Sequence, residues 1–311
     1  KTPEPLSMVA LASQLVHHGY SVEIFDSRVE EGIERLLDSI SKDLLFIGVS
    51  AMSGYQVVDG LHFSKLAKRV NRDVPIVWGG WHSTILPDQT IENQNLDIIV
   101  RGQGEITIIE LADALKKGMT LEGIKGIYYK LDDSIYKNPE RPLSEFNSFA
   151  PRNYNLLNVT KYTISDGHLH YQTSVGCPYR CSFCGVTSYF HQRYNCLTPS
   201  RVIQELKSHF EQYSLKNISF YDSLFFIDLP RTKEILRGMI ESGIIVKWNA
   251  STRVDLVLKF DQETYELIKI SGCSQLSLGI ESGSPRILEL FVKDINPEKT
   301  QNALKALANH S

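Results

Sequence analysis

The chain has 311 residues, more than one hydrophobic core usually organises, so two domains are expected. Its composition (42% hydrophobic, 22% charged) and net charge of −3 are those of an ordinary globular protein, with no basic stripe to bind nucleic acid. No apolar run is long enough to form a membrane span. The five cysteines do not form the evenly spread framework of a secreted disulfide protein, and three cluster at 177, 181 and 184. Such clustering reads as metal-binding or catalytic in a reducing compartment, so a cytoplasmic location is expected.

Strand and helix patterns alternate through the first part. Residues 7–19 have helical apolar spacing and stop at Gly19. A strand is expected over 20–26, and buried strands over 44–51 and 74–80, where the apolar runs are continuous. A helix over 57–71, a strand over 96–105 and a helix over 106–118 complete a doubly wound parallel sheet of α/β class. Ligands of such sheets sit at the carboxyl ends of the strands, here the turns SAMSGYQ, GGWHS and RGQGE. The G-x-G of RGQGE follows the fourth strand and lacks the rest of a dinucleotide fingerprint.

A hairpin turning at Asp132-Asp133 closes this first domain, assigned to 1–138, and proline-bearing residues 139–165 read as a linker. The alternation resumes in a second domain over 166–311, with strands at 170–176, 216–223, 245–253 and 274–282. Helices are expected at 197–214, with Ser200 as N-cap, at 229–243, at 261–273 and at 297–310.

The stretch SVGCPYRCSFCGV (174–186) follows the first of these strands. Its Cys-x3-Cys-x2-Cys spacing admits a structural zinc site, which needs a fourth ligand such as His191 or Cys196. It also admits a [4Fe-4S] cluster held by three thiolates with one iron left open. Cys273 reads as a packing residue.

Cys177, Cys181 and Cys184, with the aromatic Phe183 between the last two, resemble the signature of radical S-adenosylmethionine (SAM) enzymes. The resemblance implies that these cysteines hold the cluster, that SAM binds the open iron and that Phe183 packs beside the adenine. One-electron cleavage of SAM would then give a 5′-deoxyadenosyl radical able to take hydrogen from an unactivated carbon. FYDSLFFID, WNASTRVD and LGIESGS are similar to the following strand segments of that family, implying SAM contacts for Asp222, Arg253, Glu281 and Ser282. The family's partial barrel has more βα units than the four read here, and the chain starts with Lys, so it is expected to be a fragment cut at both ends.

The first domain resembles cobalamin-binding domains. Ser50-Ala51-Met52 looks like their S-x-L, and Gly79-Gly80 follows at the matching distance. Small residues at strand ends let backbone approach the cofactor's tail. Their D-x-H-x-x-G motif finds no match, which implies cobalamin with no protein histidine on cobalt. His82, Gly102, Gly104 and Glu105 correspond to further cobalamin-side segments, with Gln103 departing from the usual acidic residue.

Together the motifs resemble cobalamin-dependent radical SAM enzymes. They imply methyl transfer through methylcobalamin to an unactivated carbon of a small-molecule substrate, or, within the same family, oxidative cyclisation or ring rearrangement. An electron donor such as flavodoxin or ferredoxin is implied as partner. A non-catalytic cobalamin sensor would carry a damaged cysteine motif, and all three cysteines are intact. A methylthiotransferase would carry a second cysteine triad, and residues 1–176 contain no cysteine.

Overall fold

The computed structural model describes residues 1–38, 40 and 43–310. It divides into two compact units: one of residues 5–144 and 149–157, the other of residues 1–4, 145–148 and 158–311. Among the described residues no helix is long and apolar enough to cross a membrane.

In the 5–144 unit, strands β1 (Ile47–Ser50), β2 (Ile76–Gly79) and β3 (Ile98–Val100) run parallel, and β4 (Ile127–Leu131) and β5 (Ser134–Lys137) extend the sheet antiparallel in the order β1-β2-β3-β4-β5. The β4–β5 turn carries Asp132 and Asp133 at φ 48° and 61°, a left-handed pair that short polar side chains tolerate. Alternate strand residues face two different layers, as the period of two requires. Val77, Ile98 and Val100 pack in a core with Leu15, Ile108 and Leu111 of helices Leu6–His17 and Glu105–Lys117. Ile76, Trp78 and Ile99 pack with Ala67 of helix Tyr55–Val70 and Ile91. Trp78 is fully buried, and its Nε1–H donates to Ser64 Oγ at 3.0 Å. Gly60 makes room for the indole, since a Cβ there would lie 2.9 Å from it.

Residues 20–26 are not a strand, contrary to their alternating pattern. The segment makes no ladder with the sheet; it lies against the core through Tyr20 and Val22. Alternation reports one buried face, and a strand also needs a hydrogen-bonded neighbour.

In the other unit, β6 (His168–Tyr171), β9 (Asn217–Phe220), β10 (Lys247–Arg253) and β11 (Cys273–Gly279) form one parallel sheet in the order β11-β10-β9-β6, the sequential winding of a βα barrel segment. β7 (Ser174–Gly176) and β8 (Tyr194–Cys196) form a separate antiparallel ribbon. The single strand expected over 170–176 is therefore two, broken at Gln172-Thr173. Helices Pro199–Tyr213, Leu229–Glu241 and Gln262–Ile270 bury Val202, Leu206, Ile235, Leu236, Met239 and Leu267. Asp228 and Asp261 cap the latter two, accepting from the N–H of Arg231 (3.0 Å) and Thr264 (2.9 Å). The first helix is capped two residues earlier than expected. Pro199 takes its first turn and Thr198 is the N-cap in place of Ser200, because proline's fixed φ suits the first helical position.

Candidate functional site

Each unit gathers its sequence-marked residues at strand ends. In the second unit the cysteine loop leaves β7 through Gly176, whose φ is +79° and where a Cβ would lie 2.1 Å from the Arg193 carbonyl oxygen. Only glycine fits this entry. The Cys177 N–H donates to that same carbonyl at 2.9 Å, so the ribbon fixes the first thiol. The Cys184 N–H donates to the Cys181 carbonyl (3.2 Å), and the Ser182 N–H donates to the Phe291 carbonyl (3.0 Å). Cys181 is buried, and Cys177 and Cys184 are half-buried. Burial pushes the Cys177 thiol above its ordinary pKa, with the other two thiols adding to the shift.

Among the described residues no group of three or more His, Cys, Asp or Glu is placed to hold a single metal ion. Cys196 lies in β8, and His191 is the left-handed C-cap of helix Gly185–Phe190.

Arg253, at the end of β10, is buried against this loop. Its Nη1 donates to Cys181 Sγ at 3.5 Å, its Nε to Asp255 Oδ1 at 2.8 Å and its Nη2 to the Lys293 carbonyl at 2.6 Å. The guanidinium carbon stands 3.7 Å from the centre of the Tyr179 ring. The Tyr179 hydroxyl donates to Asp255 Oδ2 at 3.0 Å, and burial together with that carboxylate pushes its phenol up to about 12. The side chain expected to reach SAM is thus engaged with protein.

Asp222 departs further from expectation. It is 3% exposed, and its carboxylate accepts from the N–H and hydroxyl of both Thr173 and Ser174. These bonds take up the backbone where β6 ends and β7 begins, so Asp222 clamps the break in the strand instead of facing a ligand. Burial pushes its carboxyl above the usual range. Asp222→Ala would strand buried donors at about 1–3 kcal/mol each. We expect the unit's urea midpoint to drop sharply, and an unchanged midpoint would contradict the clamp.

Phe183 is half exposed and packs against Phe291 with the rings tilted by 54° and their centres 4.8 Å apart. Lys293 Nζ lies 5.7 Å from the Phe183 ring centre and donates to Glu281 Oε1 at 2.8 Å. Glu281 sits at φ 64°, an unusual conformation for a non-glycine residue beside the site. Ser282 Oγ accepts from the Ser284 N–H at 3.1 Å. Phe183, Glu281 and Lys293 therefore meet, while Ser282 serves the next turn. Tyr179, Asp255 and Lys293 are members that sequence reading missed. The first two lie inside the quoted motifs, whereas nothing local marks Lys293.

In the first unit, Ser50 pairs with Gly79 at the ends of β1 and β2. Gly80 has φ +94°, and a Cβ there would stand 3.0 Å from the Ala51 carbonyl and 3.2 Å from Ser50 Oγ. Gly79 has the opposite character: a Cβ would meet nothing nearer than the Val100 carbonyl at 3.8 Å. The protein can therefore hold a Cβ at Gly79 at ordinary contact distance. Met52 is exposed, and its N–H donates to Gln56 Oε1. The His82 N–H donates to the Ala51 carbonyl (3.3 Å), and its Nδ1 lies 3.4 Å from Ser53 Oγ. Gly102, at φ +67°, donates its N–H to Thr84 Oγ1 at 2.9 Å.

Gly104 has a packing reason, since a Cβ would come within 3.1 Å of Leu11. Glu105 opens the helix Glu105–Lys117, and burial raises its carboxyl pKa. Ser83 Oγ and Gln103 Nε2 are buried without a hydrogen-bond partner. Unpaired buried polar atoms in the segments that follow β2 and β3 fit a site that a polar cofactor tail completes. The residues present suit cobalamin here and an iron–sulfur cluster at the cysteines.

Comparison with known proteins agrees. The B12 binding domain profile matches residues 2–112, and the Radical SAM superfamily profile matches residues 171–311. The chain belongs to the radical SAM superfamily and carries a B12-binding domain ahead of its radical SAM domain. Those domains bring cobalamin, a [4Fe-4S] cluster and SAM as the family's cofactors. An uncharacterized methyltransferase of Pyrococcus horikoshii is 35% identical over 98% of this chain and 66% of its own length. An anaerobic magnesium-protoporphyrin IX monomethyl ester cyclase of Rubrivivax gelatinosus is 24% identical over 98% of this chain and 57% of its own. The chain thus spans under two thirds of these curated relatives. The solved radical SAM methyltransferase TsrM from Kitasatospora setae superposes with a TM-score of 0.80 at 20% identity, covering 98% of this chain and 63% of TsrM, and shares the fold.

Proposed function

We propose that the protein is a cobalamin-dependent radical SAM enzyme that transfers a methyl group to an unactivated carbon of a small molecule. The observation that carries this reading is the union, in one chain, of a three-thiol loop and a strand-end cradle of Ser50, Gly79 and Gly80. The cofactors, when bound, supply the radical and the methyl group.

Cys177, Cys181 and Cys184 hold the cluster and leave one iron for SAM. Phe183, with an open ring face, stacks on the adenine, and Glu281, anchored by Lys293, borders the ribose with Ser282. Ser50, Met52, Gly79, Gly80, His82, Gly102, Gly104 and Glu105 surround the cobalamin, with His82 as a hydrogen-bond partner and not a cobalt ligand. An open-iron cluster reacts with oxygen, which favours an anaerobic, cytoplasmic setting and a donor of the flavodoxin or ferredoxin type. The cyclase reading has support from the Rubrivivax relative, and the 35% identical relative favours methyl transfer.

Anaerobic incubation with dithionite and methyl-labelled SAM tests the reading. We expect 5′-deoxyadenosine and label in the cobalamin fraction. Deoxyadenosine with unlabelled cobalamin would favour cyclisation, and neither product would contradict the proposal.

A further inference from the structure

We infer that Arg253 sets the reduction potential of the cluster by donating an N–H to the Cys181 sulfur, which makes it a redox-tuning residue and not a SAM ligand. The inference rests on the reading that Cys177, Cys181 and Cys184 hold a [4Fe-4S] cluster.

The geometry is specific. Arg253 is 3% exposed, and all three of its guanidinium nitrogens are engaged, one of them by Cys181 Sγ at 3.5 Å. A planar fork held at Asp255 and at the Lys293 carbonyl, with its face on Tyr179, cannot swing away from the sulfur. Tyr179 closes the arrangement by bonding the other oxygen of Asp255. Cys181 is the most buried of the three thiols, so a charge beside it is screened least by water. Among the described residues, Cys181 alone of the three has a recorded hydrogen bond from a cationic side chain.

Reduction adds one electron, taken from a low-potential one-electron donor, and neither forms a bond nor moves a proton. The cluster becomes more negative by one charge. A fixed cation with an N–H···S bond stabilises that form more than the oxidised one, and so raises the potential. The Asp255 carboxylate works in the opposite sense from one layer further out. The two residues therefore have opposite expected effects, which a merely structural role would not produce.

The test is an anaerobic redox titration with dithionite, followed by electron paramagnetic resonance, on the iron-reconstituted protein and two variants. Arg253→Met is expected to shift the midpoint to more negative potential, since it removes the cation and leaves Asp255 uncompensated. Asp255→Asn, close to isosteric, is expected to shift it to more positive potential. If Arg253→Met fails to retain iron, Asp255→Asn decides alone. An unchanged or more negative midpoint in Asp255→Asn, or an unchanged or more positive one in an iron-loaded Arg253→Met, would overturn the inference. A wild-type protein that takes up no [4Fe-4S] cluster would overturn the underlying reading as well.

Discussion

Cys181→Ala is expected to empty the cluster site. The wild type should hold about four irons per chain after anaerobic reconstitution, and the variant should fall to background with its visible iron–sulfur absorption lost. The loop is built so that this loss reports on the thiol. Its shape is fixed by backbone bonds: Ser182 N–H to the Phe291 carbonyl, Cys184 N–H to the Cys181 carbonyl and Cys177 N–H to the Arg193 carbonyl. None of these involves the sulfur, so alanine preserves the path of the chain. Two thiolates then remain for a cube that already has one open iron. Cys196→Ala and Cys273→Ala serve as controls and should keep the cluster. Cys196 belongs to the β8 ribbon, and Cys273 opens β11, where burial pushes its thiol up to about 11. A Cys181→Ala protein with a full iron complement would show that the ligand set is different.

Gly79→Leu is expected to weaken cobalamin binding strongly while leaving the fold in place. Gly79 and Gly80 look alike in sequence and differ in structure. At Gly80 the backbone is left-handed and a Cβ collides with the Ala51 carbonyl, so any substitution there strains the protein itself. At Gly79 a Cβ has ordinary contact clearance, with nothing nearer than the Val100 carbonyl, so a larger residue there is expected to act through the cofactor's space at the strand end and not through backbone strain. Overpacking a filled site costs about 1–3 kcal/mol or more. That corresponds to roughly a 5- to 150-fold loss of affinity. Binding of hydroxocobalamin, followed by its visible spectrum after desalting, measures the effect, with circular dichroism as the check on folding. Unchanged binding would place the cofactor's tail elsewhere.

Much of this architecture is legible in the sequence because its signals are local. The continuous apolar runs around Ile47–Ser50 and Ile76–Gly79 announce strands, and the glycine pair closes the second of them; β2 is buried as expected, whereas β1 lies at the sheet edge and leaves Gly48 and Ser50 exposed, so it is not buried on both faces. What is not legible depends on distant partners. The pattern over 170–176 cannot show that Asp222, far along the chain, bonds Thr173 and Ser174 and splits the strand. Arg253 is visible as a charge at a strand end. Its role follows from Lys293 and Cys181, brought to it by the turn after β11 and by the loop after β7. Residues 20–26 carry a strand's alternation, and only the absence of a ladder among the described residues shows that they lie on the core as irregular chain. The Gly104 motif position also has a packing need, the contact with Leu11, which no local pattern distinguishes from a ligand contact.

The central claim is that one chain carries both an open-iron cluster and cobalamin. Its most direct test is to reconstitute the protein anaerobically with iron, sulfide and hydroxocobalamin, remove what is unbound, and count metal per chain. The account predicts about four irons and about one cobalt, with both chromophores in the visible spectrum. Iron without cobalt would leave the glycine-lined cradle of the first unit without its proposed occupant and contradict the two-cofactor reading.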